Sequence, residues 1–381
     1  MYTLTDYGQM IRDRARTGAY ARALAQLVTP SAVVLDIGAG AGILSLLACR
    51  AGARKVYAVE PDDVIQVARE AAAVNGYADR IEFIQAASTA IELPERVDGI
   101  VSDLRGTLPV FRTSLVSLID ARTRFLKPGG WMIPARDMLW AAPVSSPAAY
   151  EAVVGPWGAE DGLDWSPARD RATNEWHKQR LQPGDLIETP RCWVAVDYGV
   201  LETPHVAGEA SWIISRAVDA HGFGLWFDAE LAPDAGFSTA PSSSGGAVYG
   251  HAFWPWPAPV ALAEGDHLSM ALRGEFSGDH YVWRCETRVL EGASGAERIV
   301  YRQSSWRAVP LSAERLRRGA STFVPDLSTD GRIDRLVLEL MEQPMPLDAI
   351  ALRVAASFPD AIAGIDAALA RVARLSQRYS R

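Results

Sequence analysis

Residues 33–42 read VVLDIGAGAG, and this stretch narrows the possible folds more than any other part of the 381-residue chain. A short apolar run with an acid, Asp36, near its end reads as a buried strand. Glycines at 38, 40 and 42 then let the backbone turn tightly before ILSLLACRAG (43–52), which has helical spacing and a glycine stop. Strand, glycine turn and helix N-terminus in succession bring backbone amides close to a ligand. A dinucleotide fingerprint would require glycine or alanine three residues beyond Gly40, where this chain has Ile43. The loop after Asp36 therefore suits an amino-acid carboxylate or a ribose and does not demand a pyrophosphate. The bland alternative is a glycine loop that serves only strand–helix packing.

The alternation continues. RKVYAVE (54–60) reads as a second strand whose last residue, Glu60, can accept both hydroxyls of a ribose. DDVIQVAREAAAVNG (62–76) reads as a helix started by Pro61 and Asp62 and stopped by Gly76. IEFIQA (81–86), DGIVSD (98–103), a helix near 113–125 and a turn LKPGG (126–130) follow. Repeated βα units predict a mostly parallel, doubly wound α/β sheet over residues 1–134. Past Pro134 the texture changes: all twelve tryptophans lie between Trp131 and Trp306, and all six histidines between His177 and His280. Short alternating runs such as RCWVAVDYG, SWIISRAV, FGLWFDAEL and DHYVWRCETRVL predict an antiparallel sandwich or barrel over 135–310, its aromatics mainly filling a core. Residues 311–381 lose tryptophan and carry three amphipathic segments, a small helical or winged-helix module.

A net charge of −8 argues against non-specific nucleic-acid binding. Three cysteines without CxxC spacing, and histidines without metal-like partners, predict neither disulfides nor a metal site. MYTLTDYGQMIRDRAR lacks an apolar targeting core, and no long apolar run predicts a membrane span, so a cytoplasmic protein is expected.

VLDIGAGAGILSLLACRAGARKVYAVE resembles the cofactor-binding core of class I S-adenosylmethionine-dependent methyltransferases, and in particular the protein arginine N-methyltransferases. RTGAY (16–20), VNG (74–76), IEFIQ, ELP (92–94), VSDLRG, RFLKPGGWMIPAR, HGFGLWFDAEL and FSTAP (237–241) extend that resemblance to about 300 residues. It implies a Rossmann-like domain, a β-barrel-like domain, and S-adenosylmethionine as cofactor with S-adenosylhomocysteine as product. Carried over, it implies that Arg16 grips the methionine carboxylate, that Asp36, Gly38, Gly40 and Gly42 line the pocket, and that Glu60 holds the ribose. Met10 falls beside the reacting methyl, and Thr89 replaces the acid that meets the adenine amino group. The family's homodimer is left open, because the stretch corresponding to its dimerisation arm, 162–176, is short. The C-terminal segments resemble PqqD-like peptide-recognition domains more weakly.

On the acceptor side the pattern departs from the family. VSDLRGTLPVFRTSL (101–115) keeps one acid, Asp103, and sets Arg112 where the second acid of the family's guanidinium-binding loop stands. The Thr-His-Trp segment aligns with Ala247, Val248 and Tyr249, with His251 nearby as a candidate base. The expected acceptor, a small molecule or a peptide or protein, then offers an N or O nucleophile other than an ordinary arginine. Arg105 or Arg112 would bind its carboxylate or phosphate while Asp103 orients the nucleophile. Plainer roles stand beside these: Asp103 capping a turn or pairing with Arg105, and Arg112 as a solvated residue at a helix start. Genuine arginine methylation and a non-catalytic S-adenosylmethionine-binding module are the competing readings.

Overall fold

The computed structural model describes residues 2–158, 162–243 and 248–380 and divides the chain into two compact units, Met1–Pro310 and Leu311–Arg381. The first opens with helices α1 (Leu4–Arg12) and α2 (Arg14–Leu27). Thr3 and Asp6 form a reciprocal capping box on α1, and Asp13 caps α2 at the amide of Arg16. Next come β1 (Val33–Ile37), α3 (Ile43–Ala51), β2 (Lys55–Val59), α4 (Ile65–Val74), β3 (Ile81–Ile84), β4 (Val97–Ser102), α5 (Ser114–Phe125) and β5 (Leu126–Ile133).

The five strands form a parallel sheet in the order β3-β2-β1-β4-β5, the doubly wound arrangement the alternation predicts. Strand β1 is buried along its whole length, as a central strand covered on both faces must be. Two local expectations change. LKPGG is not a free turn: Leu126 pairs with Val97 and the ladder resumes at Gly99↔Trp131, so the segment is a bulge inside β5. Helix α4 begins at Ile65, so Pro61 and Asp62 lie in the turn before it.

The rest of this unit is antiparallel. β6 (Arg136–Val144) is followed by α6 (Pro147–Val154), α7 (Ser166–Ala172), β7 (His177–Gln179), β8 (Arg191–Asp197), β9 (Val206–Ile213), β10 (Val218–Ala232), β11 (Ala235–Ser238), β12 (His251–Leu262), β13 (His267–Ser277), β14 (His280–Leu290) and β15 (Glu297–Ser304). One sheet runs β7-β12-β10-β6-β8 with β11 on β10, and the other runs β15-β14-β13-β9. Their inner faces bury Trp193, Trp212, Phe223, Phe227, Trp254, Trp256 and Trp283, so the aromatic wealth of this region is core. That core is continuous with the one around β1, and α2, through Ala19, Tyr20, Ala23 and Leu24, bridges the two.

After a short α8 (Ser305–Ala308), the second unit contains α9 (Ala313–Arg318), α10 (Thr329–Met341), α11 (Leu347–Ser357) and α12 (Ile365–Tyr379). Its described residues include no strand, so of the two forms expected it takes the helical one. Its own core joins Ile333, Val337, Ile350, Val354, Ala368 and Val372.

Candidate active site

A cavity of about 620 Å³ opens at the C-terminal ends of β1, β2 and β4, where ligands bind in open α/β sheets. Gly38 (φ +72°) and Gly40 (φ +52°) line it in left-handed conformations. A Cβ on Gly38 would sit 2.3 Å from a methyl carbon of Leu104, and one on Gly40 2.6 Å from the Tyr7 ring. Only glycine therefore allows the loop after β4 and helix α1 to close over this turn. Glu60 accepts the Gly40 N–H at 3.0 Å and the Asp62 N–H at 2.9 Å, one on each carboxylate oxygen, and burial raises its pKa. Each oxygen keeps a further lone pair for a ligand hydroxyl.

Beneath the glycine turn, Asp36 is fully buried and accepts from Ser45 Oγ at 2.6 Å, while its other oxygen has no partner among the described residues. Burial pushes its carboxyl up to about 7. Asp36 and Gly42 stand outside the cavity lining; Gly42 instead lets α4 approach, since a Cβ there would be 2.8 Å from that of Ala68. Thr89 is exposed on a short turn and also outside the lining, whereas its neighbour Ser88 is buried and part of the wall.

The opposite wall is a buried ionic cluster. Asp103, just past β4, receives the Arg16 Nε–H, the Arg105 Nη1–H at 3.0 Å, and the Tyr249 hydroxyl at 2.7–2.8 Å from its two oxygens. Burial pushes the Asp103 carboxyl up, but Arg16 and Arg105 outweigh it and hold it below the usual carboxylate range. Arg16 also donates from Nη1 to the Met10 carbonyl at 2.9 Å; its Nη2 makes no hydrogen bond among the described residues, and both Arg16 and Met10 line the cavity. Arg105 is clamped in turn by Asp137 of β6, with Nε and Nη2 each at 2.8 Å, and donates to the Tyr20 hydroxyl at 2.6 Å. Tyr198 completes the cluster, its hydroxyl 2.6 Å from Asp137.

The structure thus brings Met10, Arg16, Gly38, Gly40, Glu60, Asp103 and Arg112 around one cavity. It does not bring His251 there. His251 starts β12, is buried, accepts the Leu181 N–H on Nδ1 at 2.9 Å, and is held below its ordinary pKa by burial. An imidazole lone pair committed to a backbone amide away from the cavity is not a base for a reaction inside it. Arg105 is likewise withdrawn from the acceptor: a guanidinium bonded to two carboxylates is a structural bridge. Arg112 is exposed on the cavity wall, in a left-handed conformation (φ +45°), with its guanidinium 5.2 Å from the centre of the Phe111 ring. Tyr249 and Asp137 are the residues that sequence reasoning missed. The register that set Tyr249 in the Thr-His-Trp segment was the available signal for it; Ala247 of that segment lies outside the described residues.

Among the described residues, no group of three or more potential metal ligands occurs, and no helix is long and apolar enough to cross a membrane.

Comparison with known proteins places this geometry. A family model described as ribosomal protein L11 methyltransferase (PrmA) matches residues 16–135. Probable protein arginine N-methyltransferase 6 of Arabidopsis thaliana is 32% identical over 232 residues, 58% of this chain and 53% of its own length. The chain therefore spans about half the length of that relative. Protein arginine N-methyltransferase PRMT10 of Arabidopsis thaliana is 30% identical over 300 residues, 69% of this chain and 78% of its own. Among solved structures, the Trypanosoma brucei PRMT1 enzyme-prozyme heterotetrameric complex with AdoHcy matches with a TM-score of 0.71 at 23% identity, covering 78% of this chain and 97% of that one. At that identity the likeness speaks for the fold.

Proposed function

Because this chain belongs to the protein arginine N-methyltransferase family, we propose that it transfers a methyl group from S-adenosylmethionine to a nitrogen or oxygen nucleophile other than an ordinary protein arginine. The cofactor half of the cavity suits this ligand. Glu60 would take the ribose hydroxyls, the Gly38–Gly40 turn would lie against the cofactor, and the unpartnered Nη2 of Arg16 would take the methionine carboxylate. Bound there, S-adenosylmethionine supplies a sulfonium methyl, an electrophile that mainly requires a nucleophile held in line.

The observation that carries the acceptor reading is the state of Asp103. Both its oxygens are taken by two guanidiniums and a tyrosine hydroxyl, and with Asp137 the cluster sets two carboxylates against two arginines, leaving no net negative charge for an incoming cation. Arg112 adds a positive charge to the same wall. A protonated substrate guanidinium would find the Asp103 carboxylate already taken and would meet the like charge of Arg112, a juxtaposition that disfavours it. The names of the relatives favour the other reading, methylation of protein arginine.

One assay separates the two. Labelled S-adenosylmethionine with a panel of arginine-rich peptides should give no methylarginine; its formation would establish the second reading. S-adenosylmethionine should also raise the melting temperature of the chain, and without that rise both enzyme readings fail. A further test concerns the cradle. Gly40→Ala should lower stability by about 1–2 kcal/mol, the cost of a left-handed L-residue, and weaken cofactor binding measured by calorimetry by about tenfold or more, since Tyr7 and Glu60 both shift. Gly52→Ala is the control: φ there is +111° with nothing within 4 Å of the added Cβ, so strain should appear without a change in cofactor affinity.

A further inference from the structure

We propose that Arg112 selects the acceptor, and that the acceptor carries an oxyanion, a carboxylate or a phosphate, beside its nucleophilic nitrogen or oxygen. This inference rests on the reading that the cavity binds S-adenosylmethionine and performs methyl transfer.

The cations lining the cavity are Arg16, Arg105, Arg112 and Lys178. Arg16 and Arg105 are buried against Asp103 and Asp137. The Lys178 ammonium donates to the Val248 carbonyl at 2.7 Å. Arg112 is the one of the four with no hydrogen-bonded oxygen partner among the described residues, and its guanidinium lies over the face of Phe111. The nearby Asp279 carboxylate, on the turn between β13 and β14, is held low first by the His280 ring it bonds and only last by Arg112. Asp279 therefore feels the Arg112 charge from a distance, but among the described residues no carboxylate forms a hydrogen bond or salt bridge with this guanidinium.

Two local features of Arg112 disfavour an arginine there, against one local contact in its favour, the Phe111 ring. Its left-handed backbone disfavours any side chain other than glycine, asparagine or aspartate. It also sits just before Thr113 and Ser114, where α5 begins, and a cation at a helix N-terminus opposes the peptide dipoles. A residue that breaks two local rules while lining a cavity marks a functional position. A guanidinium suits that position because its planar donors match the two oxygens of a carboxylate or phosphate. With that end of the acceptor fixed, the neutral cluster around Asp103 is left to meet an amine or hydroxyl, which needs no second carboxylate to hold it.

The test uses the full chain with S-adenosylhomocysteine bound and two matched probe pairs: 4-aminobutanoate against butylamine, and O-phosphoethanolamine against ethanolamine. Calorimetry should show the oxyanion-bearing member of at least one pair binding about tenfold tighter, the scale of one charge-assisted contact. Which pair responds tells carboxylate from phosphate. Arg112→Gln should abolish the preference and leave S-adenosylmethionine affinity unchanged. No preference in either pair, or a preference that survives Arg112→Gln, overturns the inference. Failure of the chain to bind S-adenosylmethionine or its product overturns instead the functional reading beneath it, so the two failures are distinguishable.

Discussion

Asp103→Asn should slow methyl transfer by about a hundredfold or more, because the acceptor wall loses the charge that fixes Arg16 and Arg105, and misplacement by about 1 Å is enough for a loss of that size. The same change strips two buried guanidiniums of a shared counter-ion, for which a loss of about 3–5 kcal/mol is expected. Rate and stability can be separated. Asp103→Glu keeps the charge and should recover most of the stability while the longer side chain still misplaces Arg16. The dependence on pH has a definite sign: the folded Asp103 carboxyl lies below its ordinary value, so its contribution is complete at neutral pH and fades as acid carries the pH down through the folded value. Asp103→Asn should lose that part of the acid dependence. A folded Asp103→Asn chain that binds S-adenosylmethionine and transfers methyl at the unaltered rate would show that Asp103 does not position the reaction.

How far the sequence could be read depended on whether a residue's partners lie nearby in the chain. Gly38, Gly40 and Glu60 after β2 are local consequences of βαβ geometry, so VVLDIGAGAG and RKVYAVE were enough to bring them to the cavity, whereas Asp36 and Gly42, expected in its lining, lie outside it. Arg105 is the opposite case. Read with only its neighbours it is a free cation two residues from Asp103, a candidate for an anionic substrate. It does pair with Asp103, as the plainer reading had it, but its further partners are Asp137 and Tyr20, 32 and 85 residues away, which only the docking of β6 and α2 against the loop reveals. His251 misleads for the same reason, since its hydrogen bond with Leu181 spans 70 residues. Tyr249 shows a third limit. It follows PSSSGG (241–246), a stretch without periodicity to fix a register, yet its ring packs among Phe227 and Phe237 and its hydroxyl completes the Asp103 shell. LKPGG reads as a turn because strand pairing, not local preference, decides that it bulges within β5.

Asp137→Ala should be strongly destabilising to the first unit. Asp137 has no exposure and accepts three hydrogen bonds, two from Arg105 in the bidentate geometry that makes carboxylate–guanidinium pairs strong, and one from Tyr198. Removing it leaves Arg105 buried with Asp103 as its single carboxylate, and Asp103 is already shared with Arg16. Breaking a buried pair from one side costs about 3–5 kcal/mol, a large part of the ~5–15 kcal/mol that holds a domain folded. Tryptophan fluorescence isolates this effect. All twelve tryptophans lie between Trp131 and Trp306, inside the unit Met1–Pro310, so the signal reports that unit alone, whereas far-ultraviolet dichroism sums it with the helices of the second. In urea the fluorescence midpoint of Asp137→Ala should fall by about 1 M or more, with the dichroism splitting into two transitions. Replacing both partners, Arg105→Met with Asp137→Leu, removes the buried charges together and should restore most of the midpoint. Methyl transfer should stay impaired in that double variant, because Asp103 has lost one of the two guanidiniums that position it. A double variant no more stable than Asp137→Ala would show that the aspartate acts through its shape and the Tyr198 contact, and not as the counter-ion of Arg105.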